Sequence, residues 1–190
     1  MPREPEAWGL AALLTIQHAR GRSRFDEQGG LVLLRDQDRS RWDHAAIAEG
    51  EAMLERTAAL ARPGRYQLQA AIAALHATAP SWEETDWLQI AVLYDALARH
   101  DPSPVVRLNQ AVAHAQLAEP SDALTRLENL SGDLAGYHLF HAVRAELLTT
   151  LGRHDEARHA NRTALGLTAN DAERRLLTTR LHRHPLDDGS

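Results

Sequence analysis

The chain has 190 residues, with 26 acidic against 21 basic side chains and a formal charge of −5. That length suits one domain or one continuous array, and the acidic balance argues against direct nucleic-acid binding, which needs a concentrated cationic surface. With no cysteine there are no disulfides, thiolate nucleophiles or Cys-based metal sites.

Ala, Leu and Arg dominate while Val and Ile are few, which favours helix. Met1 to Glu6 is short and polar and reads as a linker or a cut end. A first helix is expected from about Pro5 to Arg20. Gly29-Gly30 is a turn signal, so a small hairpin of Arg24–Gln28 against Leu31–Leu34 is expected within an irregular insert near residues 21–40. Ser40 with Asp43 resembles a capping box opening a helix to about Leu60, which Pro63-Gly64 stops. Arg65–Thr78 is the third helix. Ser81 and Asp86 are capping candidates, and Trp87–His100 is apolar at helical spacing. Asp101-Pro-Ser-Pro104 separates that helix from the next.

From Leu108 the chain repeats itself. A shift of 34 residues puts Ala111 on Ala145, Leu117 on Leu151, Ala118 on Gly152 and Ala123 on Ala157, and that is the period of the tetratricopeptide (TPR) helix–turn–helix unit. The small residues let two antiparallel helices approach, and Ala118 or Gly152 sits in the turn. The expected pairs are Pro104–Leu117 with Ser121–Leu130, and Ala135–Leu151 with Asp155–Leu167, broken by Ser131-Gly-Asp. Asp171–Leu181 is a last helix with a charged outer face, as a terminal cap requires. Residues 186–190, after Pro185, read as a disordered tail. The expected fold is all-α: a TPR-like helical-hairpin array of about nine helices over 1–190, with an irregular or hairpin insert near 21–40.

Several ordered segments carry a family resemblance. They are Trp8-Gly-Leu-Ala-Ala-Leu-Leu, Leu31-Val-Leu-Leu-Arg-Asp-Gln-Asp-Arg-Ser-Arg-Trp-Asp43, Tyr66 to His76, Trp87 to Tyr94, Ser103 to Asn109, Tyr137 to His141 and Asn170 to Leu177. Together they resemble the TPR-like C-terminal extension of a group of extracytoplasmic-function RNA polymerase sigma factors. The resemblance implies a cytoplasmic regulatory domain that contacts the parent's N-terminal domains, RNA polymerase, or both. The promoter-reading and polymerase-binding domains of such factors are not found in these residues, so promoter binding is expected of the parent.

Asp36-Gln37-Asp38-Arg39, with Arg41 and Trp42, is the leading candidate for that contact or for shaping it. The competing reading is an internal brace, since the planar fork of Arg39 suits either role. Asn109, Tyr137, His138, His141 and Arg144 are candidate groove residues, because they lie on the first helices of the repeats. Asp36, Asp38, Ser40 and Asp43 are spaced a little like a calcium loop, but Arg41 and Ile47 stand where an EF-hand needs Gly and Glu. His138 and His141 share a helix face without an HExxH motif, so no metal or other cofactor is expected. Of the four tryptophans, Trp82 is expected to be the most exposed. No nucleophile elbow, P-loop or dinucleotide fingerprint occurs, so catalysis is not expected, and no apolar run approaches bilayer length. The alternatives to a sigma-factor domain are a small-molecule sensor with a pocket between insert and array, and a free-standing TPR-like scaffold.

Overall fold

The computed structural model describes residues 5–58 and 63–183. Its helices are α1 (Pro5–Ala19), α2 (His44–Ala58), α3 (Arg65–Thr78), α4 (Trp87–His100), α5 (Pro104–Ala115), α6 (Pro120–Glu128), α7 (Ser131–Leu134), α8 (His138–Thr150), α9 (His154–Leu167) and α10 (Asp171–Arg183). Single 3₁₀ turns lie at Gly21–Ser23, Leu34–Asp36 and Arg39–Arg41. Among the described residues β pairing is limited to one antiparallel bridge, Phe25 to Leu31. The chain is thus an all-α helical-repeat array. The expected tail at 186–190, and the expected end of the second helix near Leu60, lie outside the described residues.

Local chemistry places several helix starts. The Asp86 carboxylate accepts from Gln89 N at 2.9 Å and starts α4. Ser103 Oγ accepts from Val106 N at 3.4 Å while Pro104 takes the first helical position of α5, where its missing N–H costs nothing. The expected Ser40–Asp43 capping box is replaced by a simpler arrangement. Asp43 is itself the cap of α2, accepting from Ala46 N at 3.0 Å, because Ser40 is held inside the preceding 3₁₀ turn.

Glu6, read as part of a linker, also has a defined task. Its carboxylate reaches the N-terminus of α3, accepting from Tyr66 N at 3.1 Å and Gln67 N at 3.4 Å. An acid there complements the helix dipole and satisfies orphan amides. The break between the two repeats is not a plain loop. Its residues wind one turn, α7, and Tyr137 N donates to Leu134 O at 2.9 Å, so α8 starts at His138 rather than Ala135.

Packing follows chain order. α1, α2 and α3 pack on one another, and then α3 to α4, α4 to α5, α5 to α6, α6 to α8, α8 to α9 and α9 to α10 lie side by side. The core is accordingly a string of small clusters: Ile16, Trp42 and Ile47; Leu68, Ile90 and Leu97; Leu108, Leu127 and Phe140; Leu124, Leu148 and Ala160. This is how a solenoid distributes its stability, repeat by repeat.

The echoed small residues do what their size allows: Ala123, Ala145 and Ala157 are buried between the paired helices. Gly152 turns the second hairpin with φ +72°, a left-handed conformation that glycine adopts at little cost. Gly9 lets α1 touch α3, since a Cβ there would lie 2.6 Å from the backbone nitrogen of Gln67. No described helix is long and apolar enough to cross a membrane.

Candidate functional site: a strap over a cavity

Between α1 and α2 the chain forms a strap. It opens with a tight hairpin organised by Asp26. Asp26 N donates to Gly30 O at 2.9 Å, and its carboxylate accepts from Gly30 N at 2.6 Å and Gln28 N at 3.0 Å. The expected hairpin is therefore present but shrunk to its turn and one bridge.

The strap then reaches the far end of the array. Arg35 pairs with Glu146 of α8, 111 residues away, and Arg175 of α10 donates to the carbonyl of Gln28, 147 residues away, at 3.3 Å. These ties are exposed, so each holds the strap weakly. Together they connect the first helices to the last.

The other end of the strap is anchored more firmly. Arg39 donates to the carbonyls of His76 and Ala79, where α3 ends, and its guanidinium lies over the Trp42 ring. A cation at that place satisfies orphan carbonyls and the negative end of the helix dipole. Trp42 is 3% exposed, within the core that also holds Ile16 and Ile47. Gln37 is buried as well, its Nε2 donating to Val32 O at 3.1 Å. The Asp38 carboxylate accepts from Ser40 Oγ at 2.6 Å and Ser40 N at 3.0 Å. Those bonds, the hydroxyl's first, hold its carboxyl below the usual range.

The six-residue candidate cluster is thus divided. Gln37, Arg39 and Trp42 turn into the fold, and Asp36, Asp38 and Arg41 form an exposed polar edge.

The candidate groove residues separate as well. Asn109 is exposed and lines a cavity under the strap. Tyr137 is half-buried against the Leu108–Phe140 cluster. His138 Nε2 lies 2.9 Å from Glu173 of α10, off the line of a hydrogen bond. The His141 ring nitrogen meets Ala135 O at 2.8 Å. Arg144 donates to Glu128 of α6 from Nε and Nη2, at 3.2 and 3.1 Å. Four of these five therefore brace neighbouring elements, and the structure does not bring them together as a groove lining. Among the described residues no three His, Asp or Glu side chains are grouped as metal ligands would be.

A cavity does lie between the insert and the helices, where the sensor alternative puts one, but apart from Gln37 and Asn109 its lining residues were not singled out as site residues in the sequence. It measures about 680 Å³ and lies between the strap, α1, α3, α4 and α5. Arg20, Arg24, Gln69, His76 and Tyr94 face it. Arg20 is 8% exposed, and burial, followed by the Arg24 and Arg39 charges, pushes its guanidinium down to about 10. Burial, then Arg20 and Arg39, pushes His76 down to about 4, so the imidazole is neutral. Burial also raises the Tyr94 phenol to about 12. His76 further joins an aromatic cluster with Trp82 and Trp87, whose ring centres are 4.5 Å apart. Trp82 is accordingly half-buried, as are Trp8 and Trp87. Arg20 stands at the expected end of the first helix and His76 in the last turn of the third, and no spacing in the sequence ties the two together. A second cleft, of about 1050 Å³, lies between the strap and α10.

Residues 1–58 match a family described as a family of unknown function (DUF6596). That segment contains α1, the whole strap and α2. The chain is also 51% identical over 172 residues to an uncharacterized protein of Rhizobium meliloti (strain 1021), a similarity covering 90% of this chain and 41% of that protein. The chain therefore spans less than half the length of that relative. No solved structure matches.

Proposed function

We propose that the chain is a regulatory protein-interaction domain of an extracytoplasmic-function sigma factor, acting on transcription initiation through contacts with the parent's promoter-reading domains or RNA polymerase. The observation that carries the reading is the split strap. Asp36, Asp38 and Arg41 form an outward polar edge on a segment whose neighbours Gln37, Arg39 and Trp42 are locked into the fold. A contact edge held this way loses little conformational entropy on binding. Support for the sigma-factor partner comes from the resemblance of the ordered segments around Asp36–Trp42. The greater length of the Rhizobium relative leaves room for such domains beside a region like this one.

The test is binding in trans. The chain is titrated with the separately expressed N-terminal domains of its parent factor, and then repeated with Asp36→Ala/Arg41→Ala. Saturable binding that weakens at least roughly tenfold in the variant, with an unchanged melting temperature, is the expected result; about 1.4 kcal/mol lost from two edge contacts suffices for that. No binding by the unaltered chain to those domains or to polymerase refutes the proposal. A specific observation favours a second reading, a small-molecule sensor: the cavity that the strap partly closes.

A further inference from the structure

We propose that the cavity beneath the strap is a binding site for a small organic anion with an apolar body, its charged group held by Arg20 and Arg24. The inference rests on the cavity alone and not on the sigma-factor reading.

Arg20 is the starting point. It is 8% exposed, and its Nε has no hydrogen-bond partner. The charged groups that act on it are Arg24 and Arg39, both positive. Buried charges are ordinarily paired, and among the described residues no carboxylate pairs with Arg20 or Arg24. Arg24 Nη2 is met by neutral oxygens, the carbonyl and the side-chain amide of Gln17, at 3.1 and 2.7 Å. Among the described residues the one acid in the cavity wall is Asp101, whose carboxylate accepts from Ser103 N at 3.1 Å. Glu83 acts on Arg39, but it does not line the cavity.

Neutral hydrogen-bonding groups stand around this positive region. Gln69 and Asn109 line the wall, and the Nδ1 of His76 is buried without a partner. Positive charge in a partly desolvated pocket, with amides and a neutral imidazole beside it, is the chemistry that recognises a carboxylate or another small oxyanion. Leu31, Leu33, Ile72, Leu97 and Val106 supply apolar wall beside the polar Gln17, Gln37 and Ser103. The volume of about 680 Å³ falls within the range of small-molecule sites. Because Leu31 to Leu34 belong to the strap, an occupant touches the same segment that presents Asp36 and Arg41. Binding therefore favours the strap's seated position.

The experiment uses the full chain with two probes, the fluorescent sulfonate 8-anilinonaphthalene-1-sulfonate and decanoate. Decanol and decyltrimethylammonium at matched sub-micellar concentrations are the comparators. Arg20 also lies 5.4 Å from the centre of the Trp42 ring, so its removal disturbs the core. Arg24→Gln and Gln17→Glu are used instead, the second supplying an internal carboxylate in place of the ligand's.

The expected result is saturable one-to-one binding of the sulfonate, displaced by decanoate. Decanol should be at least about tenfold weaker, equivalent to about 1.4 kcal/mol, and the cation should not compete. Both variants should lose at least about tenfold in anion affinity, and Gln17→Glu should raise the melting temperature of the free protein. No binding, binding of decanol as tight as that of decanoate, sulfonate that decanoate does not displace, or affinity unchanged in both variants would each overturn the proposal.

Discussion

The Arg39 guanidinium carbon lies 4.7 Å from the centre of the Trp42 ring, and the same side chain donates to the last carbonyls of α3. One residue therefore ties the strap to the core by charge, by stacking and by hydrogen bonds. Arg39→Ala is expected to destabilise the chain by on the order of 2 kcal/mol, the scale of charged hydrogen bonds plus a partly desolvated cation–π contact. Arg39→Lys should recover less than half, because an ammonium that reaches the two carbonyls met by Nη1 has no planar group to lay over the Trp42 ring. Urea denaturation measures both, and a loss under about 0.5 kcal/mol for the alanine variant would remove Arg39 from its bracing role.

His76 makes stability depend on pH. Its folded value of about 4 lies below the unfolded value of roughly 6.5. The unfolded chain therefore binds the proton first as pH falls. The His76 contribution is fully present above about pH 6.5 and is lost between there and about pH 4, amounting to about 3 kcal/mol. Denaturation midpoints collected across that window for the native chain and His76→Gln should differ in slope. Parallel curves would show that His76 is not the group responsible.

The distal ties of the strap should be weak while the strap itself opens easily. A double-mutant cycle on Arg35 and Glu146 should give a coupling under about 1 kcal/mol, as for exposed ion pairs. Hydrogen exchange at Asp26 N and Val32 N, which donate to Gly30 O and Arg24 O, should nevertheless be faster than in α3. Arg35→Ala with Arg175→Ala should accelerate it further while the array stays folded. Equal protection of strap and α3 would make them one cooperative unit.

Two glycines should differ in what alanine costs. At Gly152, with φ +72° and open space around it, the penalty is conformational, about 1 kcal/mol. At Gly9 a methyl group meets the backbone of Gln67 at 2.6 Å, and α1 must move away from α3. That overpacking should cost on the order of 3 kcal/mol. Thermal melts rank the two variants, and a reversed order would contradict the close approach of α1 and α3.

Where side chains act on their own neighbourhood, the sequence could be read closely. Arg65–Thr78 and Trp87–His100 run to their expected ends, because Gly64, Asp86 and Asp101 stop or start a helix through their own backbone and side-chain chemistry. Asp43 was misassigned as an acid inside the first turn, since a capping residue and the next acid differ only in where the preceding chain is held. The ring contacts of Trp82 were not legible beside Glu83 and Glu84, because the approach of His76 and Trp87 is set by how α3 meets α4.

The sequence by itself determined an all-α array: small residues at a 34-residue spacing and apolar residues at helical spacing specify hairpins that must stack. Only the tertiary structure decided where the strap goes. It turned half of the Asp36–Trp42 cluster inward, carried Arg35 to Glu146, and gathered Arg20, Arg24 and His76 around one cavity. The physical reason is range. Periodicity and capping act over one or two helical turns, whereas polar contacts between distant segments depend on the geometry of the finished stack and leave no spacing to read.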